Sequence, residues 1–266
     1  MGDSLRCLAY FAAATLTAVV LWAPILAYAD APGCGENARL ARLAAPLARM
    51  QRLVAAGRPV TIMALGSSST AGAGASAPSA SYPSRLEVEL RARFPGDVIR
   101  VINRGVNGEE VGDMLARFDQ AAADDKPDVV LWQVGTNAVL RDNPLGQVDE
   151  RLQDGLARMK VLGADVVLID PQFAPKVIAK PDAEDMVGVI AAEATKRGVD
   201  LFPRFAVMRH WHEAQAIPFE AFLSPDLLHM NDWGYACLAK LLGAAMAEAA
   251  TRPVAAAGAA GGVNFR

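Results

Sequence analysis

Five short apolar runs, separated by stretches with helical spacing, dominate the pattern of hydrophobic and polar positions along the chain. The runs lie at residues 60–65, 98–102, 129–134, 166–169 and 199–202. Because they are continuous rather than alternating, they predict strands that are buried on both faces of a parallel sheet. Apolar residues spaced three and four apart predict helices at about 84–94, 111–122, 146–162, 182–197 and 233–250.

The alternation of strands and helices predicts one doubly wound α/β domain over residues 58–250. Crossover connections in such sheets are right-handed by default, so the helices form the outer layers of a three-layer α/β/α sandwich. Ligands of open parallel sheets bind outside the carboxyl ends of the strands. The residues that directly follow each strand are therefore the first candidates for a functional site.

Two terminal segments flank this domain. Residues 30–57 form an N-terminal segment that we expect to pack on the domain. Its apolar spacing predicts a helix over 35–57, which Pro46 either kinks or divides in two. The segment 251–266 is rich in alanine and glycine, and we expect it to be disordered.

Residues 1–29 have the organisation of a secretory signal peptide. An apolar run over 8–26 follows Arg6, and Ala27 and Ala29 supply the small residues that a signal peptidase reads. Cleavage after Ala29 predicts a periplasmic or secreted protein with no stable membrane insertion. The alternative is an uncleaved N-terminal membrane anchor, since the run approaches the roughly 20 residues that a spanning helix needs.

The cysteine content depends on that cleavage. Of the three cysteines, Cys7 lies in the leader, so the mature chain keeps Cys34 and Cys237. In an oxidising compartment such a pair either forms a disulfide that joins the mature N-terminus to the last helix or stays as two free thiols.

Composition and charge narrow the classes of function. Hydrophobic residues make up 53% of the chain and charged residues 21%, which supports a sizeable buried core and excludes a disordered chain. The net charge is −3 and no basic stripe is present, so nucleic-acid binding has no electrostatic basis. None of these values indicates an oligomeric state.

A cluster of hydroxyl side chains follows the first predicted strand. The segment 66–72 reads Gly-Ser-Ser-Ser-Thr-Ala-Gly, with Ser68 near its centre. It lacks the phosphate-binding pattern Gly-x-x-x-x-Gly-Lys and the nucleophile turn Gly-x-Ser-x-Gly. Taken alone, the segment is typical of a serine-rich turn or a helix cap, and a nucleophilic Ser68 is the alternative.

Hydrogen-bond donors follow the second and third predicted strands. Gly105 and Gly108 allow a tight turn with exposed backbone N–H groups, and Asn137 comes directly after the third strand. Both kinds of donor suit a developing oxyanion. Each motif is also typical of an ordinary turn.

A histidine with a nearby carboxylate lies before the last predicted helix. Asp226 precedes His229 by three residues, which allows it to bind the ring and fix the tautomer that deprotonates a serine. Asp232 is a competing carboxylate, but its position favours an N-cap of the last helix. His210 and His212 have no third ligand beside them, so no metal site is predicted.

Taken in order, these motifs resemble those of the SGNH (GDSL-type) esterases and lipases over about residues 58–250. The resemblance implies a flavodoxin-like five-stranded parallel sheet of strand order 2-1-3-4-5, and no metal or organic cofactor. It implies a catalytic triad, made of Ser68, Asp226 and His229. It also implies an oxyanion hole, formed by the backbone N–H groups of Ser68 and Gly108 and the side chain of Asn137.

The chain departs from the family pattern just before the nucleophile. The family usually has aspartate there and this chain has Ser67, which leaves Ser67 and Ser69 as rivals of Ser68. Gly105 is likewise the rival of Gly108 in the oxyanion hole. The string Gly-Asp-Ser-Leu at residues 2–5 lies in the predicted leader, so it supplies no nucleophile to the mature protein.

The resemblance implies a serine esterase that hydrolyses carboxylic esters through an acyl-enzyme on Ser68. The predicted leader makes it an exported one, and the lack of a lid-like amphipathic insertion favours short-chain or acetyl esters. Expected substrates are small esters or acylated glycans. One alternative is an O-acyltransferase or deacetylase that acts on a cell-surface or secreted polysaccharide, and another is a noncatalytic carbohydrate-binding module. Gln172 and Phe173, in the segment 171–181, either wall the substrate pocket or belong to a plain connector.

Overall fold

The computed structural model describes residue 34, residues 39–96 and residues 98–253. The strands are β1 (Val60–Gly66), β2 (Ile99–Gly105), β3 (Val129–Gln133), β4 (Asp165–Ile169) and β5 (Asp200–Phe202). The longer helices are α1 (Ala48–Ala55), α3 (Tyr82–Arg93), α4 (Val111–Asp125), α6 (Leu145–Val161), α8 (Ala183–Arg197) and α11 (Asp232–Thr251). The short helices are α2 (Ser68–Ala71), α5 (Thr136–Leu140), α7 (Pro175–Ile178), α9 (Arg204–Arg209) and α10 (Phe219–Phe222).

The five strands form one parallel sheet of order β2-β1-β3-β4-β5, which confirms the predicted fold class. In this order β1 lies between β2 and β3, with Gly66 opposite Gly105 and Leu65 opposite Trp132. The carboxyl ends of these three strands therefore meet at one edge of the sheet. The predicted donors and the predicted nucleophile all follow these ends.

The core consists of the sheet and the two helix layers that cover it. All five residues of β3 are buried, as its uninterrupted apolar run predicts for a strand covered on both faces. On one face α11 packs on α3 and on α1, and on the other face α6 packs on α4 and α8. Gly155 of α6 allows the close approach of Trp132, because a Cβ at this glycine would lie 2.2 Å from the indole.

The N-terminal segment is helical over a much shorter stretch than predicted. Only α1 is helical, and residues 39–47 form turns and irregular backbone; residues 35–38 lie outside the described part of the chain. Pro46 explains the difference, since proline lacks an N–H and disfavours helical backbone in the residue before it. Leu43 and Leu47 are nonetheless 1% exposed, so their spacing reflects packing against the core rather than a helix.

The last helix continues past the predicted boundary at residue 250. It ends at Thr251, and the Arg252 side chain donates hydrogen bonds to the carbonyls of Leu43 and Ala44, both at 2.9 Å. The rest of the predicted tail, 254–266, and the predicted leader, 1–29, lie outside the described residues. Within the described part of the chain, no helix has the length and apolar character needed to cross a membrane.

A disulfide joins Cys34 to Cys237 of α11, with the two Cα atoms 5.3 Å apart. Both cysteines are buried, at 3% and 1% exposure. The bond closes a loop of 203 residues, so it ties the start of the described chain to its last helix.

Candidate active site

Ser68, His229 and Asp226 form a continuous line of hydrogen bonds at the carboxyl edge of the sheet. The Ser68 Oγ lies 2.8 Å from His229 Nε2, and His229 Nδ1 lies 2.5 Å from Asp226 Oδ2. Ser68 begins α2 directly after β1, whereas the other two residues lie in the loop before α11. The fold thus brings together side chains that are 161 residues apart in sequence.

Asp226 is held as an ionised acceptor. Its Oδ1 accepts hydrogen bonds from Ser224 Oγ at 2.7 Å, from Leu228 N–H at 3.0 Å and from His229 N–H at 2.9 Å. Partial burial raises the pKa of Asp226, but the hydrogen bonds from Ser224, His229 and the loop backbone outweigh it and hold this pKa well below its usual range. Because the carboxylate only accepts, His229 Nδ1 carries the proton and Nε2 is free to accept from Ser68.

The neighbouring hydroxyls are directed into the protein rather than toward the histidine. Ser67 and Ser69 are 2% and 1% exposed, whereas Ser68 is partly exposed. Gln133, the last residue of β3, accepts at its Oε1 from Ser67 N–H at 2.9 Å, from Ser67 Oγ at 3.0 Å and from Thr70 Oγ1 at 3.3 Å. The serine that replaces the usual aspartate is therefore held by Gln133, a residue that the sequence-based reasoning missed.

Two glycines allow this turn to lie directly against the sheet. A Cβ at Gly66 would lie 2.2 Å from Thr70 Oγ1, and a Cβ at Gly105 would lie 2.1 Å from the Ala71 backbone nitrogen. Neither distance is sterically tolerable, so any larger residue would push α2 away from β1 and β2. The glycines that follow the first two predicted strands therefore fix the position of Ser68.

The predicted oxyanion donors come from the two loops on either side of Ser68. Asn137, after β3, donates from Nδ2 to the Glu109 carbonyl at 2.8 Å, and Glu109 belongs to the loop after β2. Because β1 lies between β2 and β3, this hydrogen bond passes over the end of β1, where Ser68 begins α2. An amide nitrogen has two N–H groups, so Asn137 keeps one for a ligand.

The backbone distinguishes Gly108 from its rival Gly105. Gly108 has a φ of 78°, a left-handed conformation that glycine adopts without strain. Gly105 ends β2, and its N–H donates to the Asn103 side chain at 2.9 Å. That bond leaves Gly105 with no N–H for an oxyanion.

Ser68 provides the third predicted donor. It occupies the first position of a helix, where a backbone N–H has no acceptor within the helix.

Gln172 and Phe173, the predicted pocket residues, are both buried, at 1% and 6% exposure. Gln172 accepts from Thr136 Oγ1 at 2.9 Å and donates to the Leu228 carbonyl at 3.3 Å, so it supports the loop that carries His229. Phe173 packs against Phe205 in an edge-to-face contact with ring centroids 5.2 Å apart. The contacts of both residues are supporting ones within the protein, and a role in binding substrate stays a prediction.

A buried cation lies beneath this part of the site. Arg204 is 0% exposed; its Nε donates to the Asp170 carbonyl at 2.8 Å and its Nη2 to Thr136 Oγ1 at 3.4 Å. Burial lowers the pKa of Arg204 to about 10, although the charge of Asp170 acts in the opposite sense. Burial also raises the pKa of Asp170 to about 7, against the hydrogen bond from Phe205 N–H and the charge of Arg204. Asp170 directly follows β4 and Arg204 lies two residues after β5, which is the signal that could have indicated them.

The remaining polar candidates have other contacts. Asp232 accepts from the backbone and side chain of Ser76 at 2.8 and 2.5 Å, and the N-cap of α11 is Asn231 rather than Asp232. His212 stacks on Phe219 with ring centroids 3.8 Å apart. In the described ranges, no group of three or more His, Cys, Asp or Glu side chains is arranged to hold a metal ion.

Comparison with known proteins places the chain in a family. The model of the non-GDSL lipase-like family matches residues 33–252. An arylesterase of Vibrio mimicus is 30% identical over 125 residues, which are 47% of this chain and 61% of the relative. An acetylxylan esterase of Geobacillus stearothermophilus is 27% identical over 167 residues, which are 57% of this chain and 74% of the relative.

A solved structure shares the fold. A two-domain esterase active on acetylated mannans superposes with a TM-score of 0.66 at 21% identity, over 81% of this chain and 57% of that one. This chain therefore spans less than two thirds of the length of that structure and of the arylesterase. The predicted resemblance holds at the level of GDSL- and SGNH-like esterases. Because the family model covers most of its length, the chain belongs to the non-GDSL lipase-like family.

Proposed function

We propose that this protein is a serine esterase that hydrolyses short-chain carboxylic esters, acetyl esters in particular, through an acyl-enzyme on Ser68. The observation that carries the proposal is the line of hydrogen bonds from Asp226 through His229 to Ser68 Oγ. A hydroxyl bound to a correctly oriented imidazole is the arrangement that activates a serine for attack on a carbonyl carbon. The esterase relatives support the same reaction class.

The reaction proceeds in two halves. Ser68 Oγ attacks the ester carbon while its proton passes to His229 Nε2, and the carbonyl π electrons move onto oxygen. The tetrahedral intermediate then expels the alkoxy group, which takes the proton from Nε2 and leaves as the alcohol. Water repeats these steps on the acyl-Ser68 ester, with His229 first accepting and then returning a proton, and releases the carboxylic acid. Asp226 stabilises the imidazolium in both halves.

The negative charge on the intermediate is held by three N–H donors. We assign the backbone N–H groups of Ser68 and Gly108 and the side-chain amide of Asn137 to this role. The support is topological, since the loops after β2 and β3 flank the end of β1, and Asn137 reaches across it to Glu109. Fixed donors aimed at a developing oxyanion are usually the largest single contribution to acyl-transfer catalysis.

We extend the proposal to acetylated glycans as the substrate class. The acetylxylan esterase and the esterase active on acetylated mannans both act on such esters, and both resemble this chain across most of its described domain. Within this chain, the observation that supports the proposal is the partial exposure of Ser68 at the carboxyl edge of the sheet.

We also propose that the protein is exported. The signal-like organisation of residues 1–29 supports export. The Cys34–Cys237 disulfide supports it independently, because disulfides persist mainly in oxidising compartments.

The test compares Ser68→Ala with Ser69→Ala on p-nitrophenyl acetate and on acetylated xylo- and manno-oligosaccharides. We expect Ser68→Ala to lower kcat by about 10⁴-fold or more, since removing a triad nucleophile leaves only the background of the oxyanion donors. Ser69 is the matched control because it is adjacent, buried and without contact to His229, so Ser69→Ala should retain most of the activity. A fully active Ser68→Ala would contradict the proposal.

The same assay separates hydrolysis from acyl transfer. With a glycan acceptor present, released acetate should account for the acetyl groups lost from the donor. Transfer to the glycan in excess of hydrolysis would assign the triad to an O-acyltransferase instead.

A further inference from the structure

Arg141, which the proposed mechanism does not use, binds the loop that carries Gly108. It is the residue directly after α5, and its side chain is 51% exposed. Its Nη2 donates to the Gly108 carbonyl at 2.9 Å, and its Nη1 contacts Glu110 Oε1 at 2.5 Å. One guanidinium therefore fixes a backbone carbonyl and a side chain two residues apart in the same loop.

Two neighbours of Arg141 bind the same loop from the same side. Asn137 donates to the Glu109 carbonyl at 2.8 Å, and Asn143 donates to Glu110 Oε2 at 2.5 Å. Three side chains from residues 137–143 thus bind three consecutive residues, 108–110. The segment that supplies the amide donor of the oxyanion hole also sets the position of the backbone donor.

Gly108 needs such restraint more than other residues would. Its φ of 78° lies where glycine is unstrained, but glycine also has access to many other conformations. With the Gly108 and Glu109 carbonyls both bound to side chains of residues 137–143, the two peptide units that follow the Gly108 Cα are held, which limits the rotations that would redirect its N–H. Oxyanion donors act through preorganisation, and a displacement of about 1 Å in a catalytic group can cost about 100-fold in rate.

The loop also has contacts that do not involve Arg141. Arg117 of α4 binds the Glu109 carboxylate through two nitrogens at 2.6–3.0 Å, and it also binds the Arg104 carbonyl at 2.8 Å. Glu110 and Asp113 form a capping box at the start of α4. Because none of these contacts involves Arg141, we expect the loop of an Arg141 variant to stay folded and to lose only its exact position.

We propose that Arg141 is a positioning residue that holds the Gly108 N–H and the Asn137 amide in a single oxyanion-binding geometry. This inference rests on the proposed esterase function. It assigns no contact between Arg141 and the reacting atoms, so its effect belongs in kcat rather than in KM.

The first experiment measures kcat, KM and thermal stability for Arg141→Ala and Arg141→Lys on p-nitrophenyl acetate. For Arg141→Ala we expect kcat to fall about 10- to 100-fold with KM within about twofold of wild type and an unchanged Tm. Arg141→Lys should recover part of kcat, because a lysine can bind one of the two acceptors. Arg158→Ala is the matched control, since Arg158 is an ion-paired arginine of α6 with 38% side-chain exposure, and it should have wild-type kinetics.

The second experiment tests whether Arg141 acts through the oxyanion hole. In the Arg141→Ala/Asn137→Ala double variant, the loss in kcat should be smaller than the product of the two single losses, as expected for residues that act as a unit. A boronic acid inhibitor mimics the tetrahedral intermediate once it has formed an adduct with the serine. It should bind Arg141→Ala more weakly than wild type, by about the same factor as kcat/KM falls.

Several outcomes would overturn the inference. Wild-type kcat in Arg141→Ala, a change in KM alone, a loss that follows a lowered Tm, or fully multiplicative losses would each do so. These results would leave the esterase proposal intact, provided that the wild type hydrolyses the ester and Ser68→Ala does not. A wild-type protein without hydrolysis would remove both proposals.

Discussion

At the scale of single residues, the site depends on side chains that hold the reactive groups as much as on the reactive groups themselves. Gln133 illustrates this, since one buried carbonyl oxygen accepts from Ser67 N–H, Ser67 Oγ and Thr70 Oγ1. A buried N–H without an acceptor costs about 1–3 kcal/mol, so this contact stabilises the turn that presents Ser68. Gln133 thus holds the turn at the position where this chain has Ser67.

The carboxylate of the proposed triad gives a residue-scale prediction. Asp226→Asn should lower kcat by about 10⁴-fold, because an amide at this position stabilises the wrong tautomer of His229 and does not stabilise its cation. The protein should remain folded, since asparagine keeps an oxygen for the N–H groups of Leu228 and His229. Ester hydrolysis and circular dichroism measure the two effects.

Asp232→Asn is the matched control for that change. Asp232, the first residue of α11, is the next carboxylate after the loop that carries Asp226 and His229, and it binds Ser76 rather than His229. The Asp232→Asn variant should therefore retain most of the esterase activity. Equal losses in the two variants would show that loop stability, and not the orientation of His229, explains the effect.

The residues proposed as reactive from the sequence lie together in the fold, whereas most residues that support them were not proposed. The order of the motifs along the chain, through the family that it resembles, was enough to propose Ser68, Asn137, Asp226 and His229. The contacts of Gln133 and Arg141 depend on which strands are neighbours, and one sequence does not reveal that directly. Gln172 follows β4 as a site residue would, yet its side chain is directed into the protein, and only the fold reveals this direction.

At the scale of elements, the position of α2 depends on the two glycines beneath it. Gly105→Ala should destabilise the protein and lower kcat, because its Cβ would overlap the Ala71 backbone nitrogen and displace the helix that begins at Ser68. A displacement of about 1 Å would be enough for a loss of about 100-fold in rate. Chemical denaturation and ester hydrolysis, measured on the same preparation, test both effects.

Gly146→Ala is the control glycine for this prediction. It lies in the first turn of α6, and a Cβ there meets no atom within 4 Å. Alanine favours a helix over glycine by about 0.5–1 kcal/mol, so the variant should be as stable as wild type or slightly more so, with unchanged kinetics. Normal activity in Gly105→Ala would contradict the role given to the close contact.

Element boundaries were predicted well where burial is complete and less well at the edges. β3 is fully buried, and its apolar run predicted it to within one residue. β2 is an edge strand with partly exposed residues, and it continues through Asn103 and Arg104 to Gly105. These last three residues are not apolar, so the apolar run did not predict them as part of the strand. Helices of four to six residues, such as α2 and α5, are too short to have a readable period and were not predicted.

At the scale of the whole molecule, a buried carboxyl group makes stability depend on pH. Burial raises the pKa of Asp170 from its ordinary value of 3.8 to about 7. The unfolded chain therefore loses this proton at a lower pH than the folded protein does. The contribution of Asp170 to the free energy of unfolding is complete below about pH 4 and is lost as the pH rises towards about 7. The total loss is about 1.4 kcal/mol for each unit by which folding raises the pKa.

Asp170→Asn should remove this dependence while keeping an oxygen for the Phe205 N–H. Urea denaturation at about pH 5 and about pH 8 should show a smaller difference in the variant than in wild type. Asp119→Asn, at a carboxylate with 76% side-chain exposure, should behave like wild type and is the control. An unchanged pH dependence in Asp170→Asn would assign the effect to other groups.

The order of the strands is the whole-molecule feature on which the site depends. Because β1 lies between β2 and β3, the loop with Ser68 is flanked by the loops with Gly108 and Asn137. The alternation of elements predicted a parallel sheet, but the order 2-1-3-4-5 came from the resemblance to a family. Without that resemblance the same motifs would have remained separate turns.

The most direct test of the central claim is to trap the acyl-enzyme. The wild-type protein is mixed with p-nitrophenyl acetate, quenched in acid within the first turnovers, digested and analysed by peptide mass spectrometry. The account predicts an acetyl group on Ser68 in the wild type and in Ser69→Ala, and none in Ser68→Ala. Stable acetylation of a different residue together with unimpaired hydrolysis by Ser68→Ala would contradict it.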